Sequence, residues 1–141
     1  MVAVQLIALS AFAGDAGISI EADASVLQKG QEATIKVFIN TSEPIGAYQF
    51  DIAYDPSILE IIDIQPGTDG FVTASARDNG LIKVNGFDVN GKGPGELEFL
   101  LIKVRAKVNG NAIISINPEV LADVEGQTMP VSGNSLTLSI D

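Results

Sequence analysis

Short runs of alternating apolar and polar residues, separated by turn residues, fill the chain from Gly17 to its end. The clearest run begins at Gly46 and ends at Tyr54. Its apolar side consists of Tyr48, Phe50, Ile52 and Tyr54, and its small or polar side consists of Ala47, Gln49, Asp51 and Ala53. Successive side chains of a β-strand point to opposite faces of the sheet. The alternation therefore predicts a strand with one face in a core and the other face exposed.

Most of the remaining chain shows the same kind of pattern. The further strand-like runs read GISIEADA, ATIKVFIN, FVTASA, LIKVNGF, ELEFLLIKVRAKV, NAIISIN, EVLADVEGQTMPV and SLTLSI. Pro-Gly, Asn-Gly and Glu-Gly pairs separate them at a spacing typical of all-β proteins. The nearly continuous apolar character of ELEFLL indicates a central strand or a β-bulge. FVTASA indicates an edge strand, and only residues 2–13 and PSILEII suggest a helical period. We predict about nine strands in an all-β sandwich of two packed sheets.

The composition excludes several classes of function. At 141 residues, with 46% hydrophobic and 18% charged residues, the chain fits one packed domain. Eight basic residues against eighteen acidic ones give a formal charge of -10, which argues against nucleic acids and anionic membrane surfaces as partners. The absence of His and Cys excludes Ser-His-Asp and Cys-His catalysis and removes common zinc ligands.

One loop, DVNGKG from Asp88, weakly resembles a calcium-binding loop. Such a loop requires an oxygen ligand at its fifth position and a Glu at its twelfth, where this chain has Lys92 and Phe99. The match fails, and we predict no metal in this loop. A less regular oxygen site built from Asp51, Asp88 or Asp123 remains an open alternative.

The first seventeen residues differ in character from the rest. MVAVQLIALSAFAGDAG carries no charge before Asp15 and has small residues at AFA, as in a signal cleavage site, but it lacks the basic region of secretory signals. Its apolar run is too short to span a membrane. Residues 1–17 are therefore either a signal remnant or an additional N-terminal segment, and residues 18–141 form the predicted sandwich domain.

Aromatic and acidic residues bear on two further functions. The chain has no Trp, and both Tyr residues fall on the predicted core side, so a stacking platform for sugars is lacking. Phe87 is the one aromatic residue that the alternation places outward. Acid pairs of the glycosidase type depend on a spatial separation that a sequence does not show. Most of the acidic residues fall at exposed strand positions or turns, and we predict that the chain is not an enzyme.

A family resemblance is carried by IGAYQFDIAYDPSILEIIDIQPG, residues Ile45–Gly67. This segment resembles the third-strand region of cohesin modules, and the block Tyr54-Asp55-Pro56 is its most specific part. The later segments NGLIKVNGFD, GELEFLLIKVRAKV, VLADVEGQTMPV and GNSLTLSI resemble later cohesin strands in the same order. The resemblance covers Ile18–Ile140, and it implies a nine-stranded jelly-roll β-sandwich of two antiparallel sheets.

The resemblance also implies a function. Cohesins are non-catalytic modules that bind dockerins, which are small calcium-loaded helical modules of other proteins, often carbohydrate-active enzymes. For this chain it implies a secreted or cell-surface location, no cofactor of its own, calcium on the partner, and no insertion into a membrane.

The binding sheet is implied as well. In the family it contains the strands that correspond here to those around Gly46, Leu81, Glu96 and Ala122. The predicted contact residues are Ala47, Gln49, Asp51, Leu81, Lys83, Asn85, Phe87, Asp123, Val124 and Glu125, next to Ala53 and Ala122. Small residues would keep this surface flat, while Gln49 and Asp51 would anchor the partner by hydrogen bonds. Two other functions remain open alternatives, a carbohydrate-binding module and a purely structural surface-protein sandwich.

Overall fold

The structure is a computed structural model that describes residues 15–69, 73–76 and 80–141, and these residues form eleven strands. In chain order the strands are β1 (Ala16–Ala22), β2 (Val26–Leu27), β3 (Glu32–Thr41), β4 (Ile45–Ala53), β5 (Leu59–Pro66), β6 (Thr73–Ala76), β7 (Leu81–Lys92), β8 (Gly95–Ala106), β9 (Gly110–Asp123), β10 (Val131–Gly133) and β11 (Ser135–Ile140). Nine of them have four residues or more, in agreement with the predicted number. Within these ranges, no helix is long and apolar enough to cross a membrane.

The strands form two sheets that pack face to face. The five-stranded sheet has the order β10-β1-β3-β8-β5, and the six-stranded sheet has the order β2-β11-β9-β4-β7-β6. The longer strands pair antiparallel with their neighbours, whereas the short strands β10 and β2 pair in parallel with β1 and β11. The predicted all-β sandwich is confirmed, with the addition that each sheet carries one parallel pair at a margin. The predicted edge strand is confirmed as β6 for residues 73–76.

Alternate residues of the two sheets form one hydrophobic core. Its largest fully buried side chains are those of Phe50, Phe99, Leu27, Ile35, Ile39, Ile45, Ile52, Leu59, Ile82, Leu100, Ile102 and Leu121. The ring of Tyr48 packs edge-to-face on Phe99 of the opposite sheet, with the ring centroids 4.9 Å apart. Burial raises the pKa of Tyr48 to about 12, so its phenol stays neutral near neutral pH. The predicted core side of β4 is confirmed, with Tyr54 partly buried at the margin.

A β-bulge explains the continuous apolar run in β8. Val37 faces Leu100 and Phe38 faces Glu98, so Phe99 has no partner in β3. The extra residue shifts the alternation, and Phe99 and Leu100 are therefore both buried although they are adjacent. The prediction of a central strand or a bulge is confirmed on both counts, because β8 lies between β3 and β5.

The helical period predicted for PSILEII is wrong beyond a single turn. The backbone oxygen of Asp55 accepts hydrogen bonds from the amides of Ile58 and Leu59 at 3.1 and 3.0 Å. Oδ1 of Asp55 accepts from Oγ of Ser57 at 2.6 Å and from its amide at 2.9 Å, and these bonds lower the pKa of Asp55. Strand β5 begins at Leu59, because the apolar residues that follow the turn pair with β8 instead of continuing a helix.

Two segment boundaries differ from those read in the sequence. Strand β1 begins at Ala16, two residues before the predicted start of the domain. NAIISIN and EVLAD, predicted as separate strands, form the single strand β9, which continues through Pro118. The helical period predicted for residues 2–13 lies outside the described residues.

Replacing Phe50 by Ala tests the packing of the two sheets. Phe50 is 0% exposed, so its removal leaves a cavity in the core. We expect Phe50→Ala to lower the free energy of unfolding by about 3–5 kcal/mol, measured by urea denaturation. Phe87→Ala is the matched control, because its ring is 69% exposed and its loss leaves no cavity. Equal stability of the two variants would contradict the described core.

Candidate functional site

The outward residues of β4 and β7 lie directly opposite each other in the six-stranded sheet. The paired residues are Ala47 and Phe87, Gln49 and Asn85, Asp51 and Lys83, and Ala53 and Leu81. Lys83, Asn85 and Phe87 are exposed, and Leu81 is partly exposed. The structure therefore brings together the seven contact residues that the sequence predicted on these two strands, and it places them on the face away from the core.

Strand β9 borders β4 on its other side and adds residues that sequence reasoning missed. Asp51 pairs with Asn117, and Ala53 pairs with Ser115. Glu119 and Val120 follow, and both are exposed. The alternation in NAIISIN pointed to Ser115 and Asn117, but the family resemblance directed attention only to the end of this strand. We call the combined surface the β4 face; its residues are Ala47, Gln49, Asp51, Ala53, Leu81, Lys83, Asn85, Phe87, Ser115, Asn117, Glu119 and Val120.

The strand predicted around Glu96 does not belong to this sheet. It is β8, which pairs with β3 on one side and β5 on the other in the five-stranded sheet. Its outward side chains therefore lie on the opposite surface of the sandwich. The prediction that these four strands share one sheet is confirmed for β4, β7 and β9 and is wrong for β8, because a nearly continuous apolar run does not indicate which sheet contains it.

The middle of the β4 face is polar. Nζ of Lys83 lies 3.7 Å from Oδ2 of Asp51, whose side chain is 17% exposed. Nε2 of Gln49 donates a hydrogen bond to Oε2 of Glu119 at 2.9 Å. The Lys83 side chain is 46% exposed, and ion pairs that remain open to solvent add little to stability, so Lys83 can turn to a partner at low cost. The predicted outward orientation of Gln49 and Asp51 is confirmed, with Asp51 more enclosed than Gln49.

Apolar side chains flank this polar region at one end of the sheet. Phe87 is 69% exposed, Val120 is 41% exposed and Val124 is 48% exposed. Val124 lies beside Gly91 at the end of β7. A group of exposed apolar side chains bordered by polar ones is typical of surfaces that bind other proteins. The prediction that Phe87 faces outward is confirmed.

Asp123 has a structural role in the turn that follows β9. Its Oδ1 accepts hydrogen bonds from the amides of Glu125 and Gln127, both at 2.9 Å. The carboxylate therefore closes the turn and holds Val124 and Glu125 at the surface. Ala122, predicted beside these residues, is buried with 6% exposure. Of this predicted group, Val124 and Glu125 are exposed, while Asp123 is partly buried.

The acidic residues considered for an oxygen site are each engaged locally. Asp51 pairs with Lys83, Asp123 closes its turn, and Oδ2 of Asp88 lies 3.8 Å from Nζ of Lys92. In the described ranges, no group of three or more acidic side chains is placed to hold a metal ion.

An exposed sheet face of mixed polarity on a β-sandwich is typical of a protein–protein interaction module. Comparison with known proteins agrees with this class. The cohesin domain family matches residues 17–139 of the chain. No curated protein matches the sequence.

Solved cohesin structures have the same fold. A non-cellulosomal cohesin from the archaeon Archaeoglobus fulgidus has a TM-score of 0.77 at 20% identity, covering 90% of this chain and 91% of that one. The seventh ScaB type I cohesin from Pseudobacteroides cellulosolvens has a TM-score of 0.78 at 13% identity, covering 90% and 92%. A type I cohesin–dockerin complex from Clostridium thermocellum has a TM-score of 0.76 at 13% identity, covering 90% and 94%.

The chain belongs to the cohesin domain family. It is accordingly a protein–protein interaction module, as the sequence resemblance predicted.

Substitution of Gly46 tests how closely the Asp123 turn packs against β4. A Cβ atom at Gly46 would lie 2.6 Å from the backbone oxygen of Asp123 and 2.8 Å from Cα of Val124. We expect Gly46→Ala to displace the turn and to lower the free energy of unfolding by about 1–3 kcal/mol in urea denaturation.

The matched control for this substitution is Gly17→Ala. Its Cβ would meet only Oγ of Ser132, at the ordinary contact distance of 3.5 Å. We expect this variant to be nearly as stable as wild type. An equal loss at both positions would show that the close approach to Gly46 is not the cause.

Proposed function

We propose that the chain binds a dockerin module through the β4 face. Family membership supports this proposal, as do solved complexes in which structurally similar cohesins are bound to dockerins. The observation that carries the choice of face is the distribution of exposed apolar side chains. Among the side chains that the structure describes, four large, exposed, apolar ones lie on strands of the six-stranded sheet, namely Val26, Phe87, Ile113 and Val120. None of the described ones lies on a strand of the five-stranded sheet.

The opposite surface of the sandwich has a different character. Arg105 on β8 bonds to Glu32 on β3 at 2.7 Å and to Glu60 on β5 at 3.2 Å. Lys36 on β3 lies 3.5 Å from Glu98 on β8. Charged side chains of this outer face are thus satisfied by their neighbours across the strands. A surface whose charged side chains pair with one another in this way offers a partner little apolar area to bury.

The shape of the β4 face suits a helical partner. Ala47 and Ala53 are small side chains on either side of Gln49 and Asp51, so that a rigid element can approach the sheet closely near both ends of β4. Phe87 and Val120 would supply buried apolar area, and Gln49 and Asp51 would supply hydrogen bonds that fix the orientation. The chain carries a formal charge of -10, which favours a basic or mixed-charge partner.

Further parts of the proposal follow from the same family membership. The module has no catalytic role and no cofactor, and the calcium of the complex belongs to the dockerin, which is attached to another protein such as a carbohydrate-active enzyme. The location is extracellular, either secreted or on the cell surface. A structurally similar cohesin from the cellulosome of Acetivibrio cellulolyticus supports this location. The residues ahead of β1 would serve as a signal remnant or as an additional segment, whereas Ala16 and Gly17, which the prediction placed in that segment, belong to β1.

Direct binding of sugars is not favoured by any observation. Phe87 is the one exposed aromatic side chain among those that the structure describes, and a single Phe makes a poor platform for a sugar ring. A polysaccharide pull-down with the purified chain should therefore recover no protein above a control resin.

Replacing Phe87 by Ala tests the proposed face. Full burial of a Phe side chain contributes about 2–3 kcal/mol, so we expect Phe87→Ala to weaken dockerin binding at least about tenfold. Calorimetric titration with calcium-loaded dockerins from the same genome, repeated after chelation of calcium, measures the effect. Val108→Ala is the control, because Val108 is 42% exposed but lies beyond β8, off the β4 face. Unchanged affinity of Phe87→Ala would exclude this face.

Asp51 provides a separate test of the polar part of the face. If its carboxylate accepts a hydrogen bond from the partner, Asp51→Ala should weaken binding by about 1–3 kcal/mol in the same titration. The control is Asp63→Ala on the five-stranded sheet, where the carboxylate accepts from Gln65 at 2.7 Å. Equal affinities of wild type and Asp51→Ala would remove Asp51 from the contact.

A further inference from the structure

We infer that Glu119, oriented by Gln49, is a specificity-determining contact that receives a basic side chain of the partner. With the proposed dockerin binding as its premise, this contact defines the chemistry that the partner must present at one point of the β4 face. Glu119 was not among the contact residues predicted from the sequence.

A β-bulge places Glu119 on the face. Gln49 pairs with Val120 and Phe50 pairs with Pro118, so Glu119 has no partner in β4. As a consequence, Glu119 and Val120 are both exposed although they are adjacent in a strand, and Leu121 returns to the core. Bulges recur where a strand must re-aim a side chain, and this one presents a carboxylate and an apolar side chain together beside the central strand.

The Glu119 carboxylate is oriented but not neutralised. Nε2 of Gln49 donates to Oε2 of Glu119 at 2.9 Å, and this amide carries no charge. Asp51, the other acidic side chain on the same part of the face, has Lys83 at 3.7 Å. Among the described residues, no Lys or Arg nitrogen lies within 4.0 Å of the Glu119 carboxylate.

The exposed side chains of Glu119 and Val120 match the charged head and the aliphatic stem of a long basic residue. Lys and Arg bury their aliphatic stems on apolar surface while their charged heads stay at the edge. Val120, with 41% exposure, is available to the stem, and Glu119 is available to the head. An Arg could also donate two parallel hydrogen bonds to the carboxylate, because Gln49 bonds only to Oε2 and each carboxylate oxygen can accept more than one hydrogen bond.

The experiment compares two substitutions that each remove one negative charge. Glu119→Gln removes the charge from the face, and Glu21→Gln removes it from an exposed position on β1 of the other sheet. Calorimetric titration with a calcium-loaded dockerin that binds wild type is carried out at low and at high salt. Hydrogen bonds to charged groups are the stronger class, so we expect Glu119→Gln to lower the affinity roughly ten- to a hundredfold at low salt. Glu21→Gln should bind like wild type.

The salt dependence separates the roles of the two residues. Salt weakens attraction between opposite charges, so the affinity of wild type should fall as salt rises and that of Glu119→Gln should change less. Gln49→Leu should lower the affinity but keep the salt dependence, because the charge of Glu119 remains. Glu119→Lys should abolish binding at low salt, and replacing the contacting basic residue of the dockerin by Glu should restore it.

The possible failures are distinguishable. If wild type binds no dockerin, the proposed function is wrong, and the proposed contact of Glu119 with the partner is wrong as well. If wild type binds and Glu119→Gln matches Glu21→Gln in affinity and in salt dependence, dockerin binding stands and the role of Glu119 is overturned. Thermal melting of each variant verifies that the compared proteins are folded.

Discussion

Strand β4 is paired on both sides by antiparallel ladders to β7 and β9, and the rest of the β4 face depends on this double pairing. The two registers place Gln49 between Asn85 and Val120. The opposite side of the same strand buries Tyr48 and Phe50 in the core. A slip of one residue would turn those rings to solvent, losing about 2–3 kcal/mol for each buried side chain. The core therefore fixes which side chains the β4 face presents.

Irregularities in the strands adjust this face without disturbing the core. The register shifts at Gly46, where the backbone of the Asp123 turn packs so closely on β4 that it leaves no room for a side chain. It shifts again at Glu119, where one extra residue enters β9. The first irregularity lets Val124 lie against the sheet, and the second adds a carboxylate beside Gln49. Both alter the outer surface, while Leu121 and Ile45 remain buried.

Periodicity in the sequence was sufficient to predict which side chains of β4 and β7 face outward, because both strands keep an unbroken alternation over the β4 face. It was insufficient for β9, since the bulge at Glu119 reverses the parity of the residues that follow, and Pro118 was the only local sign of an irregular strand. The sheet that contains β8 could not be predicted either. The alternation of β8 is interrupted at Phe99. A strand with so many apolar residues could pack on the core as part of either sheet. Sheet membership is decided by long-range pairing, which local sequence does not encode.

Charge is distributed over the two outer faces in different ways, and this difference bears on recognition. On the five-stranded sheet, Arg105 connects Glu32 and Glu60 across three strands, and hydrogen bonds from Thr68 lower the pKa of Glu98. Those carboxylates are stabilised within the chain. On the β4 face, one carboxylate is paired with Lys83 and another is held only by an amide. Long-range attraction from the net charge can speed encounter with many basic proteins, but a single oriented charge next to exposed apolar side chains discriminates among them at contact. Affinity would then come chiefly from burial around Phe87, and selectivity from the polar groups beside it.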